Sequence, residues 1–92
     1  MSINDIIHQP IRTRIIALLI NQGVTDYSNI KKILRLSDGH MSTHMKKLIQ
    51  AKYVSFTKTF EDNKPKTQYK ITKKGKDSFL EYLEEIKNLL SQ

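Results

Sequence analysis

The side chains whose types and spacing point most clearly to a chemical role lie within residues 36–54, LSDGHMSTHMKKLIQAKYV. At about 100° per residue, one helix face carries Met41, Met45 and Leu48, with His44 and Ile49 at its borders. The opposite face carries small, polar or basic residues, namely Gly39, Ser42, Thr43, Lys46 and Gln50. Such groups can hydrogen-bond to base edges and neutralise phosphates, although any solvent-exposed helix can also carry them.

Catalytic and metal-binding chemistry has little support among the other polar residues. His40 and His44 are four residues apart and could share a metal ion, but no Asp, Glu or Cys completes a site on that face. His8 is isolated in the sequence. The chain has no cysteine, and it has no phosphate-binding loop, nucleophile elbow or suitably paired carboxylates. We therefore expect no enzyme activity, no cofactor and no metal site.

The positive charge of the chain is concentrated in its middle. The net charge is +7, but residues 31–76 hold thirteen Lys or Arg side chains against three acids. The remaining residues carry more acids than bases, so the positive field is directed rather than uniform. A basic surface can serve solubility alone, but its overlap with the polar helix face favours a nucleic acid as the partner.

A first helix is expected after a short lead-in formed by residues 1–9. The helix begins at Pro10, which suits a first turn, and ends near residue 21, before Gly23. Its apolar residues occupy more than one stripe, which indicates burial on two sides, one against its own core and one against a partner. We expect Arg12 and Arg14 to cover the remaining, solvated face.

A second, shorter helix supports the polar-faced one. Residues 24–26 form an extended connection, and Asp26 or Ser28 can cap a helix that ends near residue 34, with its inward side formed by Ile30, Ile33 and Leu34. A turn at residues 35–37 follows. Ser37 then caps the polar-faced helix, which continues to about residue 51.

The next stretch predicts a β-hairpin. Residues 53–60 alternate, with one face carrying Val54, Phe56 and the stem of Lys58, and residues 67–72 alternate through Tyr69 and Ile71. Between them, residues 61–66 are polar and contain the turn formers Asn63 and Pro65. At the tip of this hairpin we expect Lys64 and Lys66 to reach phosphates, although lysine-rich loops are often merely solvated.

The last predicted helix, residues 73–92 with Thr72 as its cap, has an apolar stripe over three turns. The stripe consists of Phe79, Tyr82, Leu83, Ile86, Leu89 and Leu90. A core of this size needs only the beginning of it, so we expect the remainder to contact a second copy. The alternative is that it folds back over the first helix. The predicted dimer interface comprises Ile3, Ile7, Ile16, Ile20, Phe79, Tyr82, Leu83, Ile86 and Leu90.

Two segments, LSDGHMSTHMKKL with AKYV and then KPKTQYKITKKGK, resemble the small winged-helix transcriptional regulators related to the MarR and ArsR families, over residues 10–83. The resemblance implies an α+β, mostly α fold: a winged helix-turn-helix with a two-stranded wing and a C-terminal dimerisation helix, in one domain of residues 1–92. It implies DNA contacts from Gly39, His40, Ser42, Thr43, Lys46, Lys47, Lys64 and Lys66. Where this chain has Lys52, the family usually has Gly, at a left-handed helix end.

The function that these patterns favour is sequence-specific binding of double-stranded DNA by a homodimeric transcriptional regulator. The alternatives are a winged-helix protein-interaction module, which the basic block disfavours, and RNA binding, for which no aromatic stacking platform is evident. The longest apolar run, residues 15–20, is far too short to cross a membrane, and no signal segment is present, so we expect a cytoplasmic protein. A small-molecule effector stays an open question.

Overall fold

The computed structural model describes residues 3–91 as four α-helices and a three-stranded antiparallel sheet. In chain order the elements are α1 (Pro10–Gln22), β1 (Thr25–Asp26), α2 (Tyr27–Leu34), α3 (Asp38–Gln50), β2 (Val54–Glu61), β3 (Lys64–Ile71) and α4 (Lys73–Leu90). Three helices, a hairpin and a last helix are the order of a winged helix-turn-helix. The predicted fold class is therefore confirmed.

Local caps mark the beginnings of the helices, as the sequence predicts. Asp26 caps α2 by accepting a hydrogen bond from a backbone amide in the first turn. Ser37 caps α3 and Thr72 caps α4 in the same way. α1 begins at Pro10, and Gly23 ends it with a positive φ of 76°. These boundaries agree closely with the predicted ones because each cap depends only on near neighbours in the chain.

One apolar core joins the helices to the base of the sheet. It is formed by Ile7, Ile15, Ile16, Leu18, Leu19, Ile30, Leu34, Met41, Met45, Leu48, Tyr53, Val54, Tyr69, Phe79 and Tyr82. Met41, Met45 and Leu48 are the predicted apolar face of α3, and all three are buried. Ile33 was expected to face inward from α2, but its side of the helix is turned to solvent and the residue is exposed.

The hairpin of β2 and β3 is longer than the sequence predicts. The strands pair along their whole length, and the connecting turn is Asp62 and Asn63 alone rather than residues 61–66. These two residues have positive φ values of 53° and 64°, as a two-residue hairpin turn requires. Pro65, predicted as a turn former, lies within β3. The two-stranded wing is confirmed with this correction to its loop.

A third strand, β1, joins the sheet where the sequence predicted only an extended connection. Thr25 pairs with Tyr69 and Asp26 pairs with Gln68, both at the base of the wing. Beyond that point the wing extends past the core. Phe56, predicted on the buried face of its strand, pairs with the buried Tyr69 at this base, yet it is 48% exposed.

The exit of α3 is a left-handed turn at Lys52. Lys52 has φ of 64° and donates to the Ile49 carbonyl at 2.9 Å, while Tyr53 donates to the Leu48 carbonyl at 3.0 Å. This pair of hydrogen bonds is a Schellman motif, which normally places Gly at the left-handed position. Lys52 therefore adopts the left-handed conformation although it is not Gly.

The beginning of α4 is fastened to that same corner. The Thr72 hydroxyl donates to the Lys52 carbonyl at 2.7 Å, and the Thr72 amide donates to the Tyr53 carbonyl at 2.9 Å. Gly75 is buried one turn later, and a Cβ added there would overlap the Tyr53 carbonyl. The absence of a side chain at Gly75 lets α4 approach the corner this closely.

Fewer apolar residues lie outside the core than the sequence predicts. Of the residues assigned to a dimer interface, four lie inside the core of the single chain, namely Ile7, Ile16, Phe79 and Tyr82. Their assignment to a surface was wrong, because α4 packs back on α1 with its first three turns. Ile3, Ile20 and Ile86 are partly buried against the core, and Leu83 and Leu90 are exposed.

Candidate nucleic-acid interface

The outer face of α3 is open along its whole length. The residues predicted to contact DNA from this helix are all exposed, namely Gly39, His40, Ser42, Thr43, Lys46 and Lys47. The buried side of the same helix holds it against the core through Met41, Met45 and Leu48. A 3.6-residue period thus separates a packing face from a hydrogen-bonding face on one helix.

The turn between α2 and α3 is braced by a small polar cluster that no sequence pattern indicated. Asp38, the first residue of α3, accepts from the Lys31 ammonium at 2.7 Å and from the Tyr27 hydroxyl at 3.0 Å. The hydrogen bond from Lys31, followed by that from Tyr27, lowers the pKa of the Asp38 carboxyl. The i to i+7 and i to i+11 separations explain why no local pattern identified the cluster.

Arg12 lies in a different environment from the one that the sequence predicts. It was expected on a solvated face, but it is only 9% exposed and donates to the backbone carbonyls of Ile6 and Asp5. Its Nη1 also lies 3.0 Å from His44 Nδ1 on α3. Arg12 therefore ties the lead-in segment, α1 and α3 together. Arg14 is exposed, as expected, and it also donates to the carbonyl of Leu34 at the end of α2.

The Arg12 contact determines the state of the His44 ring. An arginine can only donate, so Nδ1 of His44 must accept, and the ring is neutral with its proton on Nε2. Burial lowers the pKa of His44, and the positive charges of Arg12, His40 and Lys47 lower it further. The His40 and His44 rings lie 6.3 Å apart. Within residues 3–91, no three His, Cys, Asp or Glu side chains form a cluster that could hold a metal ion.

On the wing, the two predicted lysine contacts differ in their surroundings. Lys64 is exposed next to the turn. The Nζ of Lys66 lies 2.8 Å from a Glu61 carboxylate oxygen and 3.4 Å from one of Asp26, the cap of α2. The hydrogen bond to Glu61 is the largest cause of the raised pKa of Lys66. Lys66 thus connects the wing to α2, and its predicted place at an open tip was wrong.

A groove separates α3 from the wing. Its helix wall contains Ser42, Met45, Lys46, Ile49 and Gln50, and its wing wall contains Phe56, Lys58, Thr67 and Tyr69, with Tyr27 between them. The outer face of α3 and one face of the wing therefore border the same depression. Within the described residues, none of the helices has the length and apolar character needed to cross a membrane.

Comparisons with known proteins agree with this architecture. Residues 11–90 match the family model described as a winged helix DNA-binding domain. An uncharacterized protein of Methanocaldococcus jannaschii is 34% identical over 84 residues, which is 91% of either chain. A transcriptional regulator homologue from Pyrococcus horikoshii OT3 has a TM-score of 0.86 at 27% identity, over 94% of this chain and 85% of that one.

A third similarity shows the fold alone. A possible transcriptional regulator for arsenical resistance has a TM-score of 0.69 at 20% identity, over 95% of this chain and 91% of that one. The resemblance to small winged-helix regulators is therefore confirmed. Since the family model covers nearly the whole described structure, the chain belongs to the family of winged helix DNA-binding domains.

Proposed function

We propose that the protein is a sequence-specific transcriptional regulator that binds duplex DNA as a homodimer, in the cytoplasm. The observation that carries the proposal is the exposed polar face of α3, which borders the same groove as the wing. A helix held by its apolar side and open on its polar side has the arrangement that a major-groove reading helix needs. The concentration of lysine and arginine in residues 31–76 complements the phosphate backbone.

Within this proposal, the residues of α3 and the wing have different roles. Ser42, Thr43 and Lys46 contact base edges, with Gly39, His40 and Lys47 close to the same DNA surface. Lys64 contacts a phosphate and adds affinity without sequence preference. Lys66 acts through its two carboxylate partners and holds the wing against α2.

The exposed part of the α4 stripe supports the homodimer. Leu83, Leu89 and Leu90 of the stripe are 46%, 52% and 84% exposed, and Leu80, which lies beside the stripe, is 54% exposed. Exposed leucines repeated along one helix are a feature of association surfaces rather than of an isolated surface helix. A dimer related by a two-fold axis would present two α3 helices to successive major grooves of a roughly palindromic site.

The test is to select the preferred duplex from a random pool and compare its binding with that of random DNA. Thr43→Ala and Lys46→Ala should lower discrimination by about 1–3 kcal/mol each, because each substitution removes a base-edge hydrogen bond. Lys64→Ala is the matched control on the wing. It should weaken both duplexes similarly and reduce the slope of log affinity against log salt by about 0.9 for each phosphate that is no longer neutralised.

Three results would overturn the proposal or its assignment of roles. If the selection yields no preferred sequence, the binding is not sequence-specific. Wild-type binding that does not depend on salt, or that is stronger for an RNA duplex of the same sequence, would reject DNA as the partner. Loss of discrimination in Lys64→Ala but not in the α3 variants would make the wing the reading element.

A further inference from the structure

The wing ends in an exposed aromatic side chain. Phe60 pairs across the hairpin with Pro65, one register position before the last pair, and it is 80% exposed. Phe56 lies four residues earlier on the same strand and therefore on the same face, and it is half exposed. The other face of β2 carries Ser55, Thr57 and Thr59. One face of the wing thus carries aromatic side chains out to its tip.

The stability of the hairpin does not explain why the exposed position 60 carries a phenylalanine. A cross-strand pair with Pro65 covers little of the ring, since four-fifths of the residue stays accessible. The core ends at Val54 and Tyr69, far down the wing, so Phe60 makes no contribution to it. A large apolar side chain at the end of an exposed hairpin is a liability for aggregation unless a partner covers it.

The direction of this face indicates the partner. Phe56 forms part of the groove whose other wall is the outer side of α3, including Ser42 and Lys46. The aromatic face of the wing is therefore turned towards whatever α3 binds. Lys64 and Lys66 of β3 belong to the opposite face, because residues 64 and 66 alternate with residues 65 and 67. Lys64 is in the last pair beside the turn, so its long side chain can reach a phosphate from the end of the wing, whereas Lys66 is paired with Glu61 and Asp26.

The charges around the tip favour a polyanion with an apolar interior. Lys58 is exposed between the two phenylalanines, and Lys64 is exposed beside the turn. Of the two nearby acids, Glu61 is paired with Lys66, so the carboxylate of Asp62 stands against two exposed ammonium groups. A DNA minor groove offers phosphates on both rims and a stack of base pairs at its floor.

We propose that Phe60, backed by Pro65, enters the minor groove as an apolar wedge and bends the duplex that α3 reads. The proposal rests on the proposed function, since it needs DNA on the α3 face. Apolar side chains inserted between base steps partly unstack them and kink the duplex by roughly 20–90°. The unstacking is least costly at flexible pyrimidine–purine steps, so the wedge also adds sequence preference at positions that no hydrogen bond reads.

The experiment measures bending of the selected duplex. A duplex of about 30 base pairs carries a fluorescence donor at one end and an acceptor at the other, and energy transfer is read at saturating protein. Wild type should raise the transfer efficiency. Phe60→Ser should abolish most of that rise while changing the dissociation constant less than about tenfold, because the affinity that the phenyl ring supplies is offset by the unstacking that Ser avoids.

Two further variants separate the wedge from a general disturbance of the wing. Phe60→Leu keeps an apolar wedge and should retain most of the bend, whereas Thr57→Ala, on the opposite exposed face of β2, should bend DNA as wild type does. A second selection with Phe60→Ser should lose any TA or CA steps that the wild-type pool shows at a constant distance from the α3 site.

The outcomes distinguish this proposal from the one on which it rests. If wild type binds the selected duplex without raising energy transfer, or if Phe60→Ser bends it as wild type does, the wedge is wrong and the DNA-binding function stands. If wild type binds no duplex, the proposed function fails, and the wedge fails with it.

Discussion

At the scale of single residues, Lys52 at the exit of α3 and His44 within α3 occupy positions that conflict with their ordinary preferences. Lys52 has the left-handed backbone of a helix end that normally belongs to Gly. His44 is held neutral on α3 by the buried Arg12. Both conflicts concern α3, at its end and on the border of its outer face, and each leads to a measurable consequence for stability.

We expect Lys52→Gly to stabilise the protein. A left-handed conformation costs a residue with a Cβ about 1–2 kcal/mol, and the greater backbone entropy of Gly in the unfolded chain offsets roughly half of that. The net increase in unfolding free energy should be about 0.5–1 kcal/mol in urea denaturation. Lys52→Ala removes the same charge but keeps the Cβ. If Ala stabilises as much as Gly does, the gain comes from the charge and the argument from backbone strain is wrong.

The His44 contact predicts a pH dependence of stability. The pKa of His44 is lowered in the folded protein, chiefly by burial and then by the charge of Arg12, so the unfolded chain takes up the proton first as the pH falls. Stability should therefore decrease as the pH drops below about 6.5, the ordinary histidine value. It should stop decreasing below the folded-state pKa.

The measurement compares unfolding free energies of wild type and His44→Gln at several pH values on either side of neutrality. Gln can still accept a hydrogen bond from Arg12 through its side-chain oxygen, but it does not titrate. The variant should lose less stability between neutral and mildly acidic pH than wild type does. Parallel curves for the two proteins would show that His44 does not contribute to the pH dependence.

At the scale of elements, the corner where α3, β2 and α4 meet positions α3, the helix that we propose reads DNA. Thr72 binds both carbonyls of the corner, and Gly75 lets the first turn of α4 lie against the Tyr53 backbone. The corner therefore couples the end of α3 to the helix that we propose for dimerisation. A larger side chain at this corner should therefore lower the stability of the whole fold rather than change one surface.

Gly75→Ala should destabilise the protein although Ala is the better helix former. The new Cβ would overlap the Tyr53 carbonyl, which is backbone and cannot rotate away, so α4 must shift. Overpacking of this kind costs roughly 1–3 kcal/mol, which exceeds the gain in helix propensity of about 1 kcal/mol. Thermal or urea unfolding measures the change. Lys76→Ala, exposed one residue later, is the control and should be nearly neutral, and an equally neutral Gly75→Ala would show that the approach of the two elements is not tight.

At the scale of the whole molecule, the exposed leucines and the polar face of α3 occupy different elements. The exposed leucines lie on α4 from Leu80 onwards, whereas the polar face lies on α3, and exposed lysines lie on α3, on the wing and in the first turn of α4. A dimer formed through α4 leaves both α3 helices free, so association and DNA binding do not compete for one surface. Linking two half-sites also increases apparent affinity without any new contact to DNA.

We expect the protein to be a dimer at micromolar concentration without DNA, and Leu83→Glu to dissociate it. A carboxylate cannot enter an apolar interface without a partner, whereas Leu83 is 46% exposed in the single chain, so its replacement should leave the fold intact. Sedimentation measures the mass, and DNA affinity should fall with it. Asn88→Glu adds the same charge to an exposed polar position of α4 and should remain dimeric. A wild-type monomer, or equal effects of both substitutions, would contradict an interface at Leu83.

The sequence by itself determined what depends on near neighbours in the chain. Caps at Asp26, Ser37 and Thr72 set where helices begin, and the helical period of α3 separated its buried methionines from its polar face. Alternation identified the two strands of the wing. These signals are local, because a cap or a helix face involves residues only three or four positions apart.

Only the tertiary structure decided which of these residues are covered by distant parts of the chain. Two residues, Thr25 and Asp26, carry no strand signal of their own, and they become β1 because β3 is present to pair with them. Arg12 is buried by carbonyls of the lead-in and by His44, and Lys66 is held by Glu61 and Asp26. Phe60 is exposed because the wing extends past the core, and Phe56 is half exposed because it borders the open groove beside α3. Phe79 and Tyr82 are buried because α4 packs on α1. Burial depends on contacts between segments far apart in sequence, and hydrophobic periodicity shows which face is apolar without showing what covers it.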